Sequence, residues 1–83
     1  MEVVLEFYSK FWEKDGYERP AETEGYLIEW PDNYFPERGM VLSDKLIKSL
    51  GVDVECKLLW RIDYVAIDNF EGEAIFELHI IGE

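Results

Sequence analysis

A chain of 83 residues sets a single small domain, residues 1–83, and leaves no room for a catalytic lobe beside a binding lobe. With 48% hydrophobic and 16% aromatic residues, and only 6 Gly and 3 Pro, the composition excludes a disordered acidic tail. Nineteen acidic residues against eight basic ones give a formal net charge of -11, which argues against nucleic acid and anionic membranes as partners, since both require a positive footprint.

The first segment carries two conflicting signals. Val3, Val4, Phe7, Tyr8, Phe11 and Trp12 fall on one helical arc, with Glu2, Glu6, Ser9, Lys10 and Glu13 opposite. Glu6 to Lys10 is the favourable i to i+4 order, and Lys14 and Gly16 suit a helix C-terminus. The same Val, Phe, Tyr and Trp content also favours a strand turned by Asp15-Gly16. The spacing favours the helix for residues 2–14, with the strand as the alternative. Glu2, Glu6 and Lys10 interrupt this segment, so it is unlike a signal peptide, and no apolar run approaches the roughly 18 residues that span a bilayer. Cys56 is the only cysteine, which excludes an internal disulfide or a CxxC pair and fits a reducing, cytoplasmic setting.

Glu24 to Gly39 packs four aromatic residues and four carboxylates around one base, Arg38. Tyr26, Ile28 and Trp30 alternate with Leu27 and Glu29 until Pro31-Asp32-Asn33 stops the run, which predicts a strand over residues 25–30. Beyond the Pro36 and Gly39 breaks, Ser43 is an N-cap. Leu42 and Ile47 form a hydrophobic staple, and Gly51 closes a helix over residues 44–50. Val54 to Tyr64 alternates with period two, as does the run Ala74, Phe76, Leu78, Ile80. A three-residue Phe70-Glu71-Gly72 loop joins the two as a hairpin, opposing Ile67 with Ile75 and Asp63 with His79. Trp60, Ile62, Phe76 and Leu78 then share the buried face, and Cys56 packs there as a small hydrophobe. These elements predict an α+β fold: a small antiparallel β-sheet of three to four strands with a long C-terminal hairpin, covered on one face by one or two helices.

The chemistry-bearing residues all have structural explanations. His79, the only histidine, reads as half of a cross-strand ion pair with Asp63 rather than a catalytic base, because no nucleophile accompanies it. Asp68 to Glu73 resembles a calcium loop only in acidity: Phe70 and Gly72 stand where ligands are needed, and the span is too short. Phosphate-loop, zinc and dinucleotide signatures are missing, so the expectation is no catalytic residue, no metal and no cofactor.

The charge is unevenly spread. Residues 17–39 carry -4 and residues 58–83 carry -5, while residues 40–57 are neutral. Tyr and Trp anchor interfaces, and carboxylates around them complement a basic partner and speed its capture. The expected function is therefore non-enzymatic: an intracellular inhibitor or immunity-type protein that blocks a basic enzyme, such as a nuclease or another nucleic-acid-processing enzyme. Its expected contact residues are Glu29, Asp32, Tyr34, Phe35 and Glu37. In size and acidity the chain resembles bacteriocin immunity proteins and phage-encoded inhibitors, a likeness carried by no motif. The alternative is a structural or adaptor subunit that binds an obligate partner, or itself, through aromatic surface.

Overall fold

The computed structural model describes residues 1–13, 25–52 and 58–83. Five strands, a 3-10 turn and one α-helix follow in order among the described residues. They are β1 Glu2–Tyr8, the turn Lys10–Glu13, β2 Tyr26–Glu29, β3 Val41–Leu42, α1 Asp44–Ser49, β4 Trp60–Phe70 and β5 Glu73–Gly82. The strands form one sheet in the order β2-β1-β5-β4-β3. β1 and β5 run parallel, and every other neighbouring pair is antiparallel.

The expected α+β fold, with helices covering an antiparallel sheet, is corrected by this arrangement: the sheet is mixed and curled, and the one helix is short. The N-terminal segment decides the matter by forming a strand rather than a helix. β1 lies between β2 and β5, so Val3, Leu5 and Phe7 bury on the core face and Val4 is buried on the other. Val4 and Tyr8 share the outer face with Glu2 and Glu6, so the alternation is blurred by two apolar outer positions, and the resulting pattern also fits a helical arc. Only Lys10–Glu13 is helical, as a 3-10 turn that brings Phe11 and Trp12 against the core. Ser9, fully buried at the corner, donates its hydroxyl to the Gly82 carbonyl (3.0 Å) and accepts from the Phe11 N–H (3.2 Å), fixing the exit of β1 against the end of β5. The Asp15-Gly16 turn, Lys14, and the proposed strand positions Val54 and Cys56 lie outside the described residues.

The core sits on one face of the sheet. Val3, Leu5, Phe7, Ile28, Leu42, Trp60, Ile62, Leu78 and Ile80 pack there with Trp30, Ile47, Val52 and Leu58. Trp60 is at its centre, edge-on to Phe7 (centroids 5.4 Å apart) and tilted against Trp12 (5.8 Å). α1 forms as its sequence predicts. The Ser43 hydroxyl accepts from the Leu46 N–H (3.2 Å), Leu42 and Ile47 are both buried, and Gly51 takes φ 77°, the left-handed conformation that ends the helix.

The hairpin differs from its expected register. Glu71 and Gly72 both have positive φ (51° and 85°), giving a two-residue turn in place of the three-residue loop, so Phe70 pairs with Glu73 and Ile67 with Phe76. A bulge at Asp63 then takes up one residue, and the parity returns with Ile62 opposite Ile80 and Trp60 opposite Gly82. Trp60, Ile62 and Leu78 are buried as expected, whereas Phe76 is only half-buried. Between bulge and turn the faces are exchanged: Val65 and Ile67 lie on the core side, while Tyr64 moves to the outer face opposite His79.

Candidate functional site

The expected contact stretch is built on β2 and the loop that follows it. Trp30 is buried at 3% exposure and its indole N–H donates to the Tyr34 carbonyl (2.9 Å), while the Tyr34 N–H donates to the Pro31 carbonyl (3.3 Å). Pro36 is fully buried. At the far end, the Gly39 N–H donates to the Ile62 carbonyl (2.8 Å) and the Ile62 N–H to the Met40 carbonyl (2.8 Å), tying the loop to β4. Between these anchors Tyr34 and Phe35 stand out, 64% and 58% exposed. Phe35 meets Phe76 edge-on at 5.3 Å, and Ile67, 69% exposed, lies opposite Phe76 on the same face. An apolar strip thus runs from the loop onto the hairpin.

Glu29 and Asp32 have a role the sequence did not suggest. Both carboxylates reach the α-amino group of Met1, each at 2.7 Å, and the Trp30 N–H donates to the Met1 carbonyl (2.7 Å). The hydrogen bonds that the amine donates to Asp32 and then to Glu29 raise its pKa above the ordinary 8.0, against a smaller opposing effect of desolvation. The hydrogen bond from the amine, and then its charge, lower the pKa of Asp32 below its ordinary 3.8. Glu37 lies at the other end of the loop, exposed, with its backbone N–H directed at Met40 Sδ (3.2 Å). The structure therefore joins Glu29 to Asp32 at the amine and seats Phe35 against Phe76, with Glu37 separated from the first pair by the loop.

A second constellation lies on the outer face. His79 is not paired with Asp63, because the bulge removes Asp63 from the ladder and sets Tyr64 opposite His79. The Tyr64 and His79 rings stack at 4.1 Å and 12°. His79 Nδ1 lies 3.1 Å from Glu6 Oε2, brought there by the parallel β1–β5 pairing, and Nε2 lies 2.6 Å from Glu77 Oε1, two residues along the same strand. An open cleft of about 260 Å³ adjoins the group, lined among others by Glu6, Tyr8, Asp63, Tyr64 and His79. The three serine hydroxyls are all bonded to backbone: Ser9 to Gly82, Ser43 to Leu46, and Ser49 to the Leu46 carbonyl at 2.6 Å.

Comparison of the chain with protein-family models, with characterised proteins and with solved structures found no match. The Glu6–His79 contact was hidden in the sequence because it joins residues 73 positions apart through a parallel pairing. The Glu77-x-His79 spacing, which puts both side chains on one face of a strand, was its only local sign.

Proposed function

We propose that the protein is a non-enzymatic acidic binding protein that docks on a basic partner through the Tyr34–Phe35 loop, most concretely as an inhibitor of a nucleic-acid-processing enzyme. The observation that carries the reading is the exposure of two adjacent aromatic side chains on a loop whose backbone is anchored at both ends. An aromatic anchor held in place before contact loses little conformational freedom on binding, and interface energy concentrates in such residues. The net charge of -11 supplies the long-range attraction for a positively charged site, including one that ordinarily binds phosphates. Glu29, Asp32 and Glu37 are rim charges in this reading, with Glu29 and Asp32 partly offset by the Met1 amine.

One observation favours a second reading, an adaptor subunit bound through apolar surface: the strip from Phe35 over Phe76 to Ile67 continues the aromatic loop onto the hairpin. Salt separates the two. Capture from a host lysate on the immobilised chain, washed at low and then at high ionic strength, yields a basic protein released by salt under the first reading. An apolar interface is retained through the high-salt wash.

A further inference from the structure

The cluster on the outer face supports an inference independent of partner binding. We infer that His79 and Glu6 form a binding site for a divalent transition-metal ion such as Zn²⁺, with Glu77 as the residue that orients the imidazole. A neutral imidazole has one N–H donor and one lone-pair acceptor, yet His79 faces a carboxylate oxygen from each ring nitrogen. The 2.6 Å contact at Nε2 has the length of a strong charge-assisted hydrogen bond, so the Nε2–H donates to Glu77 and fixes the tautomer. In the neutral ring that leaves the Nδ1 lone pair directed at Glu6 Oε2, two acceptor atoms 3.1 Å apart that a proton or a metal ion between them would hold together.

The two distances also indicate which nitrogen takes the metal. Zn–N and Zn–O bonds of about 2.0–2.2 Å at tetrahedral angles place two ligand atoms roughly 3.3 Å apart. The Nδ1 to Glu6 separation of 3.1 Å is close to this, whereas 2.6 Å at Nε2 is too short for two ligands of one ion. Oxygen atoms of Glu6 and Glu77 and a ring nitrogen of His79 all lie within 4.8 Å of one another. The cleft opens on the Glu6 and His79 side and includes Asp63 and Tyr64 in its lining, leaving room for water to complete the coordination. The Glu77–His79–metal chain is the usual outer support of a histidine ligand, in which a carboxylate holds the ring and raises its basicity. Tyr64, stacked on the ring, restricts its rotation further.

The site pairs a nitrogen with a carboxylate, which suits Zn²⁺ and its neighbours rather than Mg²⁺ or Ca²⁺, whose ligands are oxygens. The test is titration of the chelator-treated chain with Zn²⁺ alone at about pH 8, above the ordinary histidine pKa of about 6.5, followed by calorimetry and by the ¹⁵N shifts of the His79 ring. One ion per chain is expected, with the large shift at Nδ1. Glu6→Gln and His79→Ala should each weaken binding at least about tenfold, and Glu77→Gln by about 10-fold to 100-fold. Excess Mg²⁺ should leave both the ring shifts and the Zn²⁺ affinity unchanged. Equal affinity in wild type, His79→Ala and Glu6→Gln would overturn the site and assign the binding to the general acidic surface. A large shift at Nε2 instead would overturn the assigned geometry, and unmoved His79 nitrogens at saturating Zn²⁺ would overturn the proposal in the wild-type chain whatever the variants do.

Discussion

Gly82 faces Trp60 across the β4–β5 ladder, and a Cβ at that position would stand 2.6 Å from the indole Cζ3. Trp60 is 1% exposed and held between Phe7 and Trp12, so the ring has nowhere to move. Gly82→Ala should therefore destabilise the protein by about 1–3 kcal/mol, as overpacking does, measured as a lower urea midpoint with an unchanged slope. The Met1 clamp makes a different prediction at the same scale. The amine's pKa is raised, so its contribution is complete below the ordinary 8.0 and is lost as the pH climbs through the folded value. Asp32's pKa is lowered, so its contribution is present above the ordinary 3.8 and disappears as the pH falls through the folded value. Stability from the clamp is thus confined to the window between. The effect is small because the carboxylates are exposed. In an NMR titration, Asp32→Asn should shift the amine's titration to lower pH with the β-sheet resonances unchanged; an unmoved titration would remove the clamp.

At the scale of elements, the hairpin turn carries a side chain where the backbone favours its absence. Glu71 has φ 51° next to Gly72 at 85°, and two-residue turns of this kind prefer Asn-Gly. Glu71→Asn should raise stability by up to about 1 kcal/mol, the order of the cost of a left-handed residue, seen as a higher melting temperature. Leu78, fully buried between Leu5 and Val65, should lose about 2–5 kcal/mol on truncation to Ala. Half-buried Phe76 should lose less than a core phenylalanine, a revision of what strict parity implies. The local signals were legible where one short-range rule decided the outcome: the Ser43 cap, the Gly51 stop, the strand ending at Pro31, and the placement of Trp60, Ile62 and Leu78 on one face. The N-terminal segment was illegible because Val4 and Tyr8 on the outer face of β1, followed by Phe11 and Trp12, complete a helical arc that masks the strand alternation. The Asp63 bulge was illegible because it compensates a turn one residue shorter than the Gly position suggested, so both ends of the hairpin look regular in sequence. The candidate site follows the same division. Exposure of Tyr34 and Phe35 between two prolines could be read locally, whereas the amine partner of Glu29 and Asp32 and the Glu6 neighbour of His79 depend on which strands meet β1.

For the molecule as a whole, the sheet brings the two acidic segments into contact through the loop and hairpin: Phe35 of the first packs on Phe76 of the second. Among the described residues, no helix is long and apolar enough to cross a membrane. The excess negative charge should therefore act at a distance on any basic partner, and raising the salt should slow association more than it changes dissociation. Glu37→Gln should reduce both the association rate and its salt dependence. Glu29→Gln and Asp32→Asn should also disturb the Met1 amine, so their effects on rate are to be compared with Glu37→Gln alone.

The most direct measurement is of association and dissociation rates for wild type, Tyr34→Ala and Phe35→Ala against the basic partner captured at low salt, with melting curves recorded for each chain. Faster dissociation in one or both variants, equivalent to about 2 kcal/mol or more of lost affinity, with melting unchanged, is the result expected of an anchored aromatic loop. Wild-type rates in both variants, with melting unchanged, would contradict it and leave Tyr34 and Phe35 as surface cover over the sheet.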